Sequence, residues 1–221
     1  MAHVKRNIVR PSKEEIAAIS EYRPATIHEA QGRLGALDSR IKPVKHGMAF
    51  CGPAVTAKCH IGDNLMIFEA VNLCQPGDIL VVSAGNNPEQ GGFGDVLAAA
   101  CLSRGIAGVV VDAGVRDGFN LRKMSLPVFS LGLCIKGTSK DTLGTINQPV
   151  VIGGEMITPG DIIVGDDDGV VVVRKPPLEL AALCAAREEM EAGLVASYKQ
   201  GQFDIEDRYE MMRKKGCVWE D

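Results

Sequence analysis

Two apolar runs, ILVVSAG (79–85) and IAGVVVDAG (106–114), flank a helical stretch, and this alternation most restricts the fold. Each run is rich in Val and Ile and reads as a short buried strand. Between them FGDVLAAACLSRG (93–105) has helical spacing, with Gly105 as a natural stop. MAFCGPAVTAKCHI (48–61) and LPVFSLGLC (126–134) add strand sequence, and GDNLMIFEAVNLC (62–74) adds a helix. From 148 to 174, short strands are joined by Gly-Gly, Pro-Gly and Asp-Gly turns, which is hairpin-like. The ends are helical. Ser12 with Glu15 predicts a capping box over 12–22, and Thr26 with Glu29 repeats the pattern in ATIHEAQGRL. Pro176 and Pro177 open a last helix that runs on through LELAALCAAREEMEAGLVASYKQ, and charged sequence closes the chain. An α/β or α+β arrangement follows, with a layered or barrel-like sheet. It forms one domain over 1–221, whose helical C-terminal extension, about 177–221, is placed to pack on a neighbouring subunit.

Composition narrows the function. Lys+Arg are 24 against 28 Asp+Glu, a net charge of −4, and aromatics are 5%, so no basic stripe or stacking platform for nucleic acid is expected. The core must be built from Ala, Val, Ile and Leu. The seven cysteines form no C-x-x-C pair, which argues for reduced, packed thiols over zinc or redox motifs. The four His have no metal-ligand spacing. No run of about 18 apolar residues occurs, and the first residues are too polar for a signal core, so the expected compartment is the cytoplasm with no membrane contact.

Four segments are candidates for chemistry. NPEQGGFGDVLAAA joins a strand to a helix, and Gly91, Gly92 and Gly94 let backbone N–H groups turn to an anion at a helix start. It is neither a dinucleotide fingerprint nor a P-loop. Alone, an ordinary glycine-rich turn explains it slightly better. In VVVDAGVRDG a buried strand ends at Asp112 and a glycine turn presents Arg116 and Asp117 together. Arg suits a carboxylate or enolate oxygen, and Asp suits Mg²⁺ or Mn²⁺, which keep most of their waters. Taken alone, a turn-closing Arg–Asp pair is the simpler account. GDDDG (165–169) lacks calcium-loop spacing and reads as a hairpin turn. In AAREEMEAG (185–193) the charges read as a solvated helix face. His28 and His60 show no partner in sequence, and no nucleophile elbow occurs.

Taken together, GGFGD, GVVVDAGVRD, PVFSLG and TPGDIIVGDDDGVVVV resemble one family, the class II pyruvate aldolases that act on 4-hydroxy-4-methyl-2-oxoglutarate and 4-carboxy-4-hydroxy-2-oxoadipate. Their superfamily includes the RraA-type regulators of ribonuclease E. The resemblance spans nearly the whole chain. It implies an α/β/β/α sandwich of the swivelling, phosphohistidine-like kind with terminal helices. It also implies homotrimers or homohexamers with intersubunit sites. The position matching Asp117 would ligate the metal, Mg²⁺ or Mn²⁺, and Arg116 would contact the pyruvate oxygens. Backbone of the loop Gly92, Phe93, Gly94, Asp95, Val96 and Leu97 would hold the carboxylate, and Asp95 would orient a metal-bound water. A Glu from the neighbour's C-terminal helix would approach: Glu191 is the nearest match, with Glu188 and Glu189 as rivals.

The implied reaction is retro-aldol cleavage in aromatic-acid catabolism, with oxaloacetate decarboxylation as a side activity, since both leave a pyruvate enolate. Arg116 and a metal stabilise its oxygen, and no lysine in either motif offers a Schiff base. Candidates for the distal substituent are Arg122, Lys123 and His46. The alternative is a protein-binding regulator of ribonuclease E activity. The long charged C-terminal extension goes with the aldolases by resemblance. A methyltransferase reading ranks last, since no strand–G-x-G–helix cofactor motif occurs.

Overall fold

The computed structural model describes residues 2–220. A short strand β1 (His3–Val4) precedes helix α1 (Lys13–Ser20). The Ser12 capping box is formed: the Ser12 hydroxyl accepts from the Glu15 amide, and the Glu15 carboxylate accepts from the Ser12 amide at 2.8 Å. Helix α2 (Pro24–Ala30) corrects the second expected box. It starts three residues earlier, because Pro24 takes the first helical position and Arg23 before it is the extended N-cap, so Thr26 lies inside the helix.

Strand β2 (Lys42–Pro43) is followed by β3 (Phe50–Lys58), which serves two sheet layers. Its first half, Phe50 to Pro53, pairs antiparallel with the later strand Ile162–Asp166, and its second half, Ala54 to Lys58, pairs parallel with the strand Ile79–Phe93. Helix α3 (Leu65–Leu73) leads to β4 (Ile79–Phe93), helix α4 (Asp95–Ser103) and β5 (Gly108–Val115). A single turn α5 (Gly118–Leu121) precedes β6 (Val128–Ser130), β7 (Gly132–Leu133) and β8 (Thr145–Ile146). Two antiparallel pairs follow: β9 (Val150–Ile152) with β10 (Glu155–Ile157), and β11 (Ile162–Asp166) with β12 (Gly169–Val172). The Gly-Gly and Asp-Gly turns close these hairpins as expected. The Pro-Gly turn does not, since β10 and β11 do not pair with each other and the chain passes there to another sheet. The main sheet runs β1-β8-β3-β4-β5-β6-β2.

Alternation along the strands builds the layers. Leu80, Val82, Val109 and Val111 pack on α3 and α4 through Met66, Ile67, Leu97 and Cys101. Ile79, Val81 and Val110 face the other way, onto Ile152, Ile163, Val170 and Val172 of the hairpins. The hairpins' outer residues Ile162, Val164 and Val171 are covered by Ile19, Ile27, Leu180 and Cys184. The order is therefore helix, sheet, hairpin layer, helix, which is the expected α/β/β/α sandwich. Each fully buried Val or Leu contributes roughly 1.5–3 kcal/mol, so this double-sided sheet carries most of the core.

Helix α6 (Pro177–Lys199) opens at Pro177 as expected, and α7 (Glu206–Lys214) follows. The chain divides into two compact units, one ending at Cys184 and the second beginning at Ala185. Within the second, Tyr198 stacks edge-on to Phe203 and Tyr209 to Trp219, with ring centroids 5.2 Å and 5.9 Å apart. No helix among the described residues is long and apolar enough to cross a membrane.

Candidate functional site

The glycine-rich stretch expected as a turn is the far end of β4. Pairing of β4 with β5 is regular from Ile79↔Gly108 to Val82↔Val111, then slips at Asn87↔Ala113, Gly91↔Gly114 and Phe93↔Val115. The extra residues bulge out of β4 and re-aim its last residues. Asp112 anchors the bulge: its buried carboxylate accepts the Ala84 amide. Burial pushes that carboxyl above its ordinary range, and the amides of Ala84 and Asn86 oppose the shift. Asp112 therefore lies inside β5, three residues before its end, and is occupied by backbone.

At the end of β4 the Gly91 amide donates to Lys136 O at 2.8 Å, and the Arg116 amide to Phe93 O at 2.9 Å. A Cβ on Gly91 would lie 2.5 Å from Cys134 O, so only glycine lets these strands approach. Gly94 then caps α4 without a side chain, and the amides of Asp95, Val96 and Leu97 have no acceptor within the helix. They and the helix dipole favour an anion.

Past β5 the chain turns at Asp117, which is left-handed (φ 59°, ψ 34°). Both Arg116 and Asp117 thereby line one cleft of about 250 Å³ with Gly91, Gly92, Gly94, Val96 and Leu97. Asn64, Phe68, Gly137, Thr138 and Lys140 complete its lining. Asn64, at the start of α3, donates through Nδ2 to Gly92 O at 2.8 Å, while its Oδ1 is buried without a partner among the described residues.

Of the expected site residues, Gly92, Gly94, Val96, Leu97, Arg116 and Asp117 share this cleft. Phe93 is buried in the core and offers only backbone. Asp95 sits at the same helix start but outside the cleft lining, with Oδ2 accepting from Asn120 Nδ2 at 2.6 Å. Glu191 lies in the second unit, paired with Arg187 at 2.7 Å, and Glu188 and Glu189 are on the same helix. None of Arg122, Lys123 and His46 lines the cleft. Arg122 donates to Val44 O, Lys123 covers the Phe119 ring, and His46 faces Asp167. His60 meets the Ile61 carbonyl, and His28 lies on α2. The GDDDG carboxylates brace the expected hairpin, with Asp167 accepting from the Gly47 amide at 3.0 Å.

Sequence reasoning missed Asn64, Phe68, Thr138 and Lys140. Lys140 matters most, since it puts a second cation in the cleft. Its one local signal was the Gly-Thr-Ser-Lys stretch, which resembles any polar loop.

Among the described residues no three His, Cys, Asp or Glu gather as a metal cage. Asp117 offers one half-exposed carboxylate, its Oδ2 against Gly94 and 3.5 Å from Arg116 Nε. One carboxylate suits Mg²⁺ or Mn²⁺, which keep water ligands, and not zinc, which wants several protein ligands. No cysteine lines the cleft, and burial pushes the Cys51, Cys59 and Cys101 thiols up to about 12.

Comparison with known proteins places these features in a wider group. A family model described as RraA-like, aldolase/RraA, matches residues 17–172. A protein of Halalkalibacterium halodurans provisionally named 4-hydroxy-4-methyl-2-oxoglutarate aldolase is 38% identical over 167 residues, covering 74% of this chain and 80% of its own length. A Streptomyces coelicolor structure, described as an unusual member of the RNase ES inhibitor RraA family, matches with TM-score 0.74 and 28% identity over 87% of this chain and 99% of its own. The RNA-processing inhibitor RraA of Thermus thermophilus matches with TM-score 0.64 and 26% identity over 71% of this chain and 94% of its own.

Proposed function

Because the chain belongs to the RraA-like aldolase/RraA family, we propose that it is a class II pyruvate aldolase, a carbon–carbon lyase for 4-hydroxy-2-keto acids. The substrates are 4-hydroxy-4-methyl-2-oxoglutarate, cleaved to two pyruvates, and 4-carboxy-4-hydroxy-2-oxoadipate, cleaved to pyruvate and oxaloacetate. Such acids arise in aromatic-acid catabolism, which the proposal places in the cytoplasm. The observation that carries the reading is the meeting of Arg116, Asp117 and the start of α4 in one cleft.

Free amides at Asp95, Val96 and Leu97 bind the keto acid's carboxylate. Arg116 donates to the adjacent keto oxygen. When the C4 hydroxyl loses its proton, the C3–C4 bond breaks and its electron pair passes into the C2 carbonyl. Charge then develops on the oxygen that Arg116 already faces, so the guanidinium binds the transition state more tightly than the substrate. Asp117 would hold Mg²⁺ or Mn²⁺, which would supply further positive charge beside that oxygen. Asp95, fixed by Asn120 just outside the cleft lining, is the carboxylate assigned to take the C4 hydroxyl proton through a water and to return it to C3 of the enolate, which leaves as pyruvate, with Glu191 of a neighbouring copy as its helper. Oxaloacetate decarboxylation leaves the same enolate and needs the same groups. A homotrimer or homohexamer is the assembly this requires.

The test is pyruvate release from both acids with Mg²⁺ or Mn²⁺, before and after chelation. Expected is turnover that chelation abolishes and metal restores. Because Lys140 lines the cleft, borohydride is added with pyruvate as a control, and no mass increase is expected. No pyruvate from either acid, or a trapped adduct, overturns the proposal. The RraA neighbours favour a second reading, a protein-binding regulator of ribonuclease activity. Tight binding to the ribonuclease without turnover of any keto acid would select it.

A further inference from the structure

Residues 137–142 form one wall of the cleft, yet they belong to no helix or strand apart from a bridge between Asp63 and Ser139. Their position depends on the turn before α3. Asp63 is buried, and its Oδ2 accepts the Ser139 hydroxyl at 2.8 Å, the Asp141 amide at 2.7 Å and the Thr142 amide at 3.0 Å. Its Oδ1 accepts the Leu65 amide at 2.8 Å. Backbone bonds extend the clip: the Asn64 amide donates to Ser139 O, and the Ser139 amide to Gly62 O. Burial opposes the Asp63 charge, but these hydrogen bonds, led by that of Asp141, outweigh it and hold the carboxyl well below its usual range. A fixed anion here serves three backbone amides and a hydroxyl, and not a cation. The next residue, Asn64, holds the opposite wall through Gly92 O. One dipeptide thus ties the loop wall and the glycine wall together. Lys140 stands in the loop between the Asp63-bound residues Ser139 and Asp141, exposed and without a carboxylate partner among the described residues.

We propose that Asp63 is a positioning residue of this site: it clips residues 139–142 so that Lys140 stays in the cleft with Arg116 and receives the substrate's second carboxylate. This rests on the keto-acid reading above and adds a specificity device to it. A keto monoacid such as pyruvate engages Arg116 and the helix start alone. A 4-hydroxy-2-keto diacid also needs Lys140.

The variants are Asp63→Asn, Lys140→Gln, their combination, and the milder Ser139→Ala, which removes one of the four bonds to Asp63 should Asp63→Asn fail to fold. Two measurements are made. In the first, KM and kcat for 4-hydroxy-4-methyl-2-oxoglutarate are set against solvent exchange of the pyruvate methyl protons. Asp63→Asn is expected to raise KM for the diacid about tenfold with kcat within about threefold, because ground-state and transition-state binding are lost equally. The rise for the diacid should exceed that for pyruvate several-fold. The double variant should do no more than the larger single one, because both act on one contact. Additive effects, or a fall in kcat at unchanged KM, overturn the proposal. The second measurement is amide exchange by mass spectrometry, where Asp63→Asn or Ser139→Ala should expose 139–142 ahead of the rest of the chain. Unchanged protection there overturns the clip even if the enzyme is inactive. If wild type is inactive but protects 139–142, and the variants expose that loop, the aldolase reading and the substrate role of Lys140 fall and the clip stands.

Discussion

Arg116 Nε lies 3.5 Å from Asp117 Oδ2 although the two residues are consecutive at the end of a strand. Successive strand side chains point to opposite faces, so continued extension would send one into the cleft and the other away. The left-handed backbone of Asp117 cancels the alternation. That conformation costs a non-glycine residue roughly 1–2 kcal/mol, and the sheet beneath maintains it. Strain of this kind collects at functional sites, and here its product is a cation and a carboxylate side by side.

Arg116→Ala is expected to lower kcat for retro-aldol cleavage by about 10²–10³-fold, the usual loss for one donor aimed at developing charge. Arg116→Lys should recover only part, since an ammonium lacks the planar fork. Steady-state pyruvate release checks this. Activity of Arg116→Ala within a few-fold of wild type would remove Arg116 from the mechanism.

Gly94→Ala separates function from stability. The backbone at Gly94 is extended, so any residue could adopt it, but a Cβ there would overlap the Asp117 carboxylate and come 3.2 Å from Arg116 Cγ. Both side chains can move aside, so unfolding free energy should change by less than about 1 kcal/mol while activity falls. At Gly114 the obstacle is the Pro88 carbonyl, which is backbone, and Gly114→Ala should cost about 2 kcal/mol. Urea unfolding of both variants, beside their turnover, tests the contrast.

Asp63 sets a pH dependence of known sign. Its folded-state pKa is depressed, so its stabilisation is fully present above the unfolded value of about 3.9 and is lost as pH falls toward the lower folded value. Between about pH 5 and pH 3 wild type should lose stability more steeply than Asp63→Asn, which has no charge to lose. Parallel urea-derived curves over that window would show that the carboxylate is not what the four donors hold.

Arg10 ties the N-terminal segment to the sheet. It donates twice to Asp78, at 2.8 and 2.7 Å, and Asp78 also accepts the Gln75 amide at 2.6 Å. The Asp78 side chain is 1% exposed, so Arg10→Met leaves a buried carboxylate short of its cation. A loss of about 3 kcal/mol is expected, read as a lower urea midpoint. Adding Asp78→Leu should restore part of it by removing the stranded charge. A double variant less stable than Arg10→Met would refute this account.

Much of the fold was legible locally. The helix of α1 announced itself by Ser12 and Glu15, the core strand by Val109 to Val111, and the last hairpin by the Asp-Gly turn. The one misplaced helix start, at Thr26, came from weighing a capping pattern above Pro24, whose fixed φ sets the first turn. Asp112 was misjudged because a strand residue buried among backbone amides looks the same in sequence as one that ends a strand.

The site was legible in part for the same reason. Gly91 to Gly94 and the Arg116–Asp117 pair lie on contiguous stretches, so turn chemistry and strand ends mark them. Local periodicity, turn residues and caps are written in near neighbours, and these determined most of the elements, the glycine-rich stretch and the Arg116–Asp117 pair, while the layering followed only from the family resemblance. The other wall depends on contacts between distant segments: Asn64 reaches Gly92 across 28 positions, and Asp63 reaches Ser139 across 76. No local pattern encodes such a meeting, because it exists only once β3, β4 and β5 align and close the loops above them. Packing alone therefore brought Lys140 into the cleft, turned Asp95 toward Asn120, and left Arg122, Lys123 and His46 elsewhere.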